Sequence, residues 1–182
     1  GYLKAVRELC TKHNVLLVSD EIQTGLGRTG YMLAIEHDDA RPDIVLLGKA
    51  ISGGVLPVSA VLADDEVMLT IQPGQHGSTY GGNPLANKVA TAALNVLRDE
   101  DMCANSIARG KQLRDGLETL PNSVVDEVRG RGLMNAIVID EQGDEDAAWK
   151  LCLHMAEHGV LAKPTHGDTI RFTPPLVITE KQ

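Results

Sequence analysis

The sequence predicts an α/β fold: part of a large domain with a mainly parallel sheet and helices, followed by a smaller α+β domain. Two runs of four apolar residues, Val15–Val18 and Ile44–Leu47, are typical of strands buried on both faces of a parallel sheet. Helical patterns alternate with such strands as far as residue 100, and beyond it short strands adjoin glycines and one amphipathic helix. We therefore place the domains at residues 1–100 and 101–182, the second truncated at its end.

Each element follows from its residue types. Leu3, Val6, Leu9 and Cys10 form one apolar stripe of a first helix. The segment Leu85–Leu97 is rich in Ala and free of Gly and Pro, which favours a long helix. The other predicted helices are Asp101–Leu120 and Glu145–His158, and the other predicted strands are Val58–Ala63, Val124–Gly132, Leu133–Ile139, Gly159–Lys163 and Thr169–Phe172.

Composition limits the class of partner. The chain of 182 residues has a formal net charge of −8, so it offers no basic surface for nucleic acid or an anionic membrane. Cys10, Cys103 and Cys152 are odd in number and far apart, which is typical of reduced thiols in an intracellular protein. No run of apolar residues reaches membrane-spanning length. We expect a soluble protein without nucleic-acid or membrane partners.

Two charged residues follow the two buried runs. Asp20 lies just after the first run and Lys49 just after the second, and the carboxyl ends of parallel strands meet at the edge of a sheet where ligands bind. A lysine between apolar walls there can act as a nucleophilic amine, and a carboxylate can hold a cationic nitrogen. These are the two fixed points that pyridoxal phosphate needs as an electron sink.

Taken one at a time, these residues have ordinary alternatives. Lys49 is also compatible with a surface lysine at the start of a loop, and Asp20 with a helix N-cap or turn residue. The glycine-rich segment Pro73–Pro84 is equally typical of a surface loop. The motifs around these residues distinguish a catalytic interpretation from these ordinary ones.

Those motifs occur in order along nearly the whole chain, and together they resemble the class III, fold type I pyridoxal-phosphate aminotransferases. They are Ser19–Gly25 with Gly27–Gly30, Pro42–Ile44 with Gly48–Lys49, His76–Ala86, Arg129–Leu133 and Ile170–Leu176. The runs Leu47–Ala50 and Leu161–Asp168 resemble the members that use ornithine more than those that use acetylornithine or 4-aminobutyrate.

The resemblance implies roles for individual residues. Lys49 is implied to hold the cofactor aldehyde as a Schiff base and then to move the substrate proton. Asp20 is implied to pair with the pyridine nitrogen, and Gln23 to contact the phenolic oxygen. Ser78 and Thr79 are implied to bind the cofactor phosphate of a neighbouring subunit, which makes the protein a homodimer.

Arg171 is implied to bind a substrate carboxylate, because a guanidinium group matches a carboxylate in a bidentate fashion. The implied reaction is ping-pong: the δ-amino group of ornithine passes to the cofactor, leaving glutamate semialdehyde, and then to 2-oxoglutarate. Relatives of this kind are found in the mitochondrial matrix or the cytoplasm.

Two further motifs match the spacing of other kinds of site. Gly25, Gly27 and Gly30 match the spacing of a dinucleotide-binding turn, but they do not follow a strand directly and too little chain follows them for a crossover helix. His154 and His158 have the spacing of helical metal ligands, but with no adjacent Glu or third ligand expected we interpret them as a solvated helix face and predict no metal.

Both ends indicate a piece of a longer protein. The chain begins with Gly1 inside a helical pattern, and Thr179–Gln182 fits the capping box of a further helix. The resemblance implies that the chain is the C-terminal portion of a longer protein. In that family, the portion that precedes it normally supplies other cofactor and substrate contacts. Beside the aminotransferase and the dinucleotide-binding enzyme, a third hypothesis is therefore that this fragment alone is not catalytic.

Overall fold

A computed structural model describes residues 1–140 and 143–182 of the chain. It divides into two compact units. Unit 1 contains Gly1–Gly27 and Tyr31–Asp101, and unit 2 contains Arg28–Gly30 and Met102–Gln182. Among the described residues, no helix has the length and apolar character needed to cross a membrane.

Unit 1 is built from helices around a three-stranded sheet. Its helices are α1 (Tyr2–Lys12), α2 (Asp65–Met68) and α3 (Pro84–Asp99), with 3-10 turns at Ala34–Asp38 and Lys49–Ser52, and its strands are β1 (Val18–Asp20), β2 (Ile44–Leu47) and β3 (Ala60–Ala63). The strand order is β1-β2-β3, so β2 is central.

The sheet of unit 1 is mixed, which corrects the prediction of a mainly parallel sheet. β1 and β2 are parallel, as predicted, but β3 runs antiparallel to β2 and pairs Ala60 with Leu47. The link between them, residues 48–59, includes a short 3-10 turn and two glycines, Gly53 and Gly54, whose φ angles are 61° and 82°. Since a parallel crossover usually needs a helix and this link has none, the chain simply reverses.

The first strand begins later than its hydrophobic run predicts. The run Val15–Val18 contributes only Val18 to β1. Val15 donates its N–H to the carbonyl of Cys10, which extends the end of α1, and Leu17 donates its N–H to the Asp43 carboxylate over 2.6 Å. The first residues of the run are therefore a connection rather than a strand.

Asp43 anchors that connection. Its carboxylate also accepts a hydrogen bond from Arg7, and the N–H of Asp43 donates to the carbonyl of Leu17 over 2.9 Å. The Arg7 guanidinium and the Leu17 amide stabilise the ionised form and hold the pKa of Asp43 below its ordinary value. These contacts align the start of β1 with the start of β2.

The core of unit 1 lies on one face of β2. Val45 and Leu47 are buried together with Leu26 and Ile51, whereas Ile44 and Leu46 are only half-buried. The prediction that this strand is buried on both faces is therefore wrong for the described chain. The partly buried residues that pack on this core are Leu33, Val58, Ala60, Ala90, Leu94 and Leu97.

Unit 2 contains an antiparallel sheet and two helices. The helices are α4 (Met102–Leu117) and α5 (Ala147–Glu157), and the strands are β4 (Val125–Arg131), β5 (Met134–Ile139), β6 (Lys163–Thr165) and β7 (Thr169–Phe172). The strand order is β4-β5-β7-β6. β7 has its predicted bounds, whereas β6 replaces the strand predicted at Gly159–Lys163, because Pro164 and Thr165 pair with β7 in its place.

A glycine contact fixes α4 against the β4–β5 turn. A Cβ atom on Gly110 of α4 would lie 1.7 Å from the carbonyl oxygen of Gly132, whose φ angle is 53°. The same oxygen accepts hydrogen bonds from Arg114 over 3.1 Å and from the Asn135 side chain over 3.1 Å. Only glycine at position 110 permits this approach.

At the end of the chain, Thr179 and Gln182 exchange the predicted capping-box hydrogen bonds. The Thr179 N–H donates to the Gln182 side chain over 2.9 Å, and the Gln182 N–H donates to the Thr179 hydroxyl over 3.4 Å.

Candidate active site

Asp20 and Lys49 lie at the same edge of the unit 1 sheet. Asp20 is the last residue of β1 and pairs with Leu46 of the parallel strand β2. The next residue, Glu21, donates its N–H to the Leu46 carbonyl over 2.9 Å, and Lys49 follows β2 after one glycine. The register thus brings a carboxylate and an amine to adjoining carboxyl ends, the position where open α/β sheets bind ligands.

The backbone of Lys49 adopts an uncommon conformation. Its φ angle is 43°, in the left-handed region that non-glycine residues rarely occupy, and it opens the 3-10 turn Lys49–Ser52. Gly48 before it is extended, and a Cβ atom there would lie 3.3 Å from Cγ2 of Ile22. Strained residues of this kind are concentrated at functional sites, which supports a special role for Lys49.

The surroundings of Lys49 differ from the expectation of apolar walls. The side chain is exposed in the described chain, although Ile51 and Ser52 of the same turn are buried. The turn itself is well supported, because α3 packs against it and Ala93 lies 3.5 Å from a Cβ atom built on Gly53. The backbone of this turn is therefore packed against α3, whereas the Lys49 side chain is exposed.

Asp20 and Gln23 flank a short turn after β1. One carboxylate oxygen of Asp20 accepts the N–H of Ile22 over 3.1 Å, and both Asp20 and Gln23 have exposed side chains. That hydrogen bond fixes the start of the turn, while the Asp20 side chain stays exposed. This turn is the part of the edge that lies next to β2.

Glu21 is a buried carboxylate that the sequence interpretation missed. Its side chain is only 2% exposed and accepts hydrogen bonds from Ser19 over 3.2 Å, from the Ile35 N–H over 2.9 Å and from Thr24. It connects the end of β1 to the segment after the glycine turn and so positions Asp20. The sequence signal for this buried carboxylate is a pair of hydroxyl residues, Ser19 two positions before Glu21 and Thr24 three positions after it.

Ser78 and Thr79 lie in an exposed loop between α2 and α3. The Ser78 hydroxyl oxygen accepts the N–H of Gly81 over 2.9 Å, which closes a small turn. Asn83 then caps α3 by accepting the N–H of Ala86 over 2.9 Å. The loop therefore ends on the helix that packs against the Lys49 turn.

Arg171 belongs to unit 2. It lies on β7, opposite Ala136 of β5 and Lys163 of β6, and its side chain is half-buried. It lines a cavity of about 950 Å³ together with Arg109 and Phe172. The cavity is also lined by Lys163 and by Glu180, which pairs with Arg109 over 3.4 Å. The Arg171 guanidinium is suited to an anionic group such as a carboxylate.

The glycines at 25, 27 and 30 do not open a helix. Leu26 and Gly27 donate their N–H groups to the carbonyls of Met32 and Tyr31 over 2.6 and 3.1 Å, which makes a tight loop. The element that follows is only the short 3-10 turn Ala34–Asp38. A dinucleotide site needs a strand that ends directly at such glycines and a helix that begins directly after them. Among the described residues, β1 ends at Asp20, before the first glycine, and no helix begins after Gly30.

The interpretation of His154 and His158 needs a correction. Glu157 directly precedes His158, and the side chains of all three residues are exposed at the end of α5 with candidate ligand atoms within 4.8 Å of one another. A third ligand group is therefore present, contrary to the expectation. The helical period explains this, since positions three and four apart lie on one face.

The family profile described as aminotransferase class-III matches residues 1–182. The chain belongs to the class-III aminotransferase family. Its mixed sheets and helices are consistent with an α/β fold.

Two curated relatives are identical to the chain at most of the aligned positions. It is 61% identical over 182 residues to the mitochondrial ornithine aminotransferase of Drosophila melanogaster and 62% identical over 182 residues to that of Rattus norvegicus. In both comparisons the whole chain is covered, but only 42% and 41% of the relative. The chain thus spans about two fifths of the length of these proteins.

Solved structures match the fold closely. An acetylornithine aminotransferase from Elizabethkingia anophelis has a TM-score of 0.96 and 54% identity, with 100% of this chain and 46% of that chain covered. The ornithine aminotransferase from Toxoplasma gondii, whose structure is described with partial occupancy of PLP at its active site, has a TM-score of 0.94 and 49% identity, with 99% and 43% covered.

Proposed function

We propose that the protein containing this chain is a pyridoxal-phosphate-dependent aminotransferase that moves the δ-amino group of ornithine to 2-oxoglutarate, giving glutamate semialdehyde and glutamate. The observation that carries the proposal is the position of Asp20 and Lys49 at adjoining carboxyl ends of two parallel strands. Family membership and the names of the most similar relatives support it.

The donor set of this chain fits the cofactor. The Lys49 amine would hold its aldehyde carbon, the Asp20 carboxylate would hold its protonated ring nitrogen, and the Gln23 amide would contact its phenolic oxygen. When bound, pyridoxal phosphate supplies an electron sink for the electron pair left on the substrate carbon. The Lys49 Nζ would take the proton from that substrate carbon and later return a proton in the same site.

The remaining residues would bind anionic groups. Hydroxyl and backbone N–H groups in the glycine-rich turn of Ser78 and Thr79 suit the phosphate of a cofactor held by a second copy of the chain, so the active protein would be a homodimer. Arg171 would hold a substrate carboxylate. We propose that unit 1 is part of the large cofactor-binding domain and unit 2 part of the smaller domain, within a protein of the mitochondrial matrix or cytoplasm.

Borohydride reduction of the full-length protein tests the proposal. Hydride converts the carbon–nitrogen double bond between cofactor and lysine into a stable amine, so the cofactor mass remains on one peptide. We expect that mass on Lys49, and not on the exposed Lys88 of α3, when the protein is reduced with bound pyridoxal phosphate. A folded, cofactor-treated protein whose Lys49 peptide stays unmodified would overturn the assignment and favour a non-catalytic binding protein.

The Asp20→Asn variant tests the partner of the ring nitrogen. Asn keeps the oxygen that accepts the Ile22 N–H but loses the negative charge. We expect weaker cofactor binding and a turnover reduced by at least about 100-fold, because a neutral ring is a poor electron sink. Cofactor titration, turnover with ornithine and thermal unfolding are measured together. Unchanged turnover at unchanged stability would make Asp20 a turn residue only.

A second substrate class follows from one comparison. The Elizabethkingia anophelis structure that matches with a TM-score of 0.96 is an acetylornithine aminotransferase. The purified full-length protein is therefore assayed with ornithine, acetylornithine and 4-aminobutyrate at equal concentrations. The highest kcat/KM with acetylornithine would replace the donor in our proposal while leaving the cofactor and the residue roles in place.

A further inference from the structure

The last turn of α5 presents three side chains away from the core of unit 2. Ala148 and Cys152 are buried in that core, and Leu151 and Met155 pack against it. His154, Glu157 and His158 are all exposed. They lie three and four positions apart, so they share the solvent face of the helix end.

The separations of these groups are close to those of metal ligands. Nδ1 of His154 lies 3.3 Å from Oε2 of Glu157, and the two imidazole centroids are 4.6 Å apart. Two ligands bound at about 2.1 Å to one tetrahedral metal ion are about 3.4 Å apart. The His154–Glu157 pair already has that spacing, and small rotations of exposed side chains bring His158 to it.

The tautomer of His158 is set by the helix backbone. Its Nδ1 lies 2.9 Å from the carbonyl oxygen of His154. A carbonyl oxygen can only accept a hydrogen bond, so Nδ1 carries the proton and Nε2 carries the lone pair. Metal-binding histidines commonly donate their other N–H to a carbonyl in this way, which orients the ring before the ion arrives.

The charges around the cluster also suit a cation. One carboxylate and two neutral imidazoles carry a single negative charge, and the chain as a whole has a net charge of −8. Lys150, one turn earlier on the same helix, is paired with Asp144 over 2.6 Å, which offsets its charge. Imidazole and carboxylate ligands favour zinc over calcium or magnesium.

We propose that His154, Glu157 and His158 form a surface binding site for Zn²⁺, with water in the remaining coordination position. The site involves none of the residues assigned to amino-group transfer. Binding would bridge the last turn of α5 and its cap residue, and so would stabilise the end of this helix.

Zinc titration of the full-length, cofactor-loaded protein tests the site. Calorimetry in chelator-free buffer with a non-thiol reductant is expected to show one more bound Zn²⁺ per chain in wild type than in the H154A/H158A double variant. The single variants Glu157→Gln and His158→Ala are each expected to weaken this binding more than about 10-fold, since even the loss of an outer-shell partner costs 10- to 100-fold.

A matched control comes from the first helix. His13 is an exposed cap residue at the end of α1, as His158 is for α5, but position 9 is Leu, so His13 lacks the histidine partner four positions earlier that His158 has. His13→Ala should leave the zinc stoichiometry unchanged. Thermal unfolding with EDTA should be the same for all variants. Equal zinc stoichiometry and affinity in wild type and in the folded double variant would overturn the proposal, and so would loss of the extra zinc in His13→Ala.

Discussion

Lys49→Ala is expected to abolish ornithine-dependent glutamate formation in the full-length enzyme. The change removes both the amine proposed to hold the cofactor and the group proposed to move the substrate proton. A general acid–base group alone contributes about 10²- to 10⁴-fold, and the covalent anchor is lost in addition. Coupled detection of glutamate semialdehyde measures turnover, and dialysis followed by absorbance measures whether the cofactor is retained only non-covalently.

The backbone of Lys49 calls for a second variant. Because its φ angle is 43°, Ala at this position keeps the strain of the left-handed region, whereas Gly relieves it. Lys49→Gly should therefore be as inactive as Lys49→Ala but at least as stable. Partial rescue of either variant by a small primary amine would support the proton-transfer role. Turnover at the wild-type rate in both variants would remove Lys49 from the chemistry.

Gly110→Ala is expected to destabilise unit 2 strongly, since its Cβ would lie 1.7 Å from the Gly132 carbonyl oxygen. Forcing one carbon into such a contact costs about 1–3 kcal/mol or more, and moving the Gly132 oxygen also disturbs its bonds to Arg114 and Asn135. The free energy of unfolding from urea titrations of the full-length protein measures the effect.

The matched control lies on the same helix. A Cβ atom on Gly116 of α4 meets nothing within 4 Å, so Gly116→Ala should stabilise the protein by about 0.5–1 kcal/mol through helix propensity. Opposite signs of the change in the free energy of unfolding distinguish a steric clash at Gly110 from the effect of helix propensity at Gly116. Equal stability of the two variants would show that the Gly110–Gly132 approach is not tight in solution.

The sequence predicted those parts of the site that depend on short-range patterns. β2 has the predicted bounds Ile44–Leu47, so Lys49 follows a strand as expected. The parallel pairing of β1 and β2 is also confirmed. The bounds of β2 follow from an uninterrupted apolar run that ends in small residues, a signal carried by the segment itself. The roles of Lys49, Asp20, Gln23, Ser78, Thr79 and Arg171 stay predictions.

What the sequence did not predict depends on distant partners. The first strand starts late because Asp43, far along the chain, takes the N–H of Leu17. Glu21 is buried because Ile35 and two hydroxyl groups reach its carboxylate. Periodicity carries no information about such pairings, and an acidic residue at a strand end is expected to be solvated. Glu157 is a different case, because it lies three positions after His154 and helical periodicity alone places the two residues on the same face.

The place of Arg28 in unit 2 has a consequence for biosynthesis. Its guanidinium donates to the carbonyls of Leu133 and Pro174, which lie 105 and 146 residues further along the chain, and burial lowers its pKa. At about 5–20 residues per second, a ribosome needs roughly 7–30 s to make the residues that separate Arg28 from Pro174. During that interval the Pro174 carbonyl is not yet made, so the half-buried Arg28 guanidinium completes its hydrogen bonds only after translation has passed the last strand of unit 2.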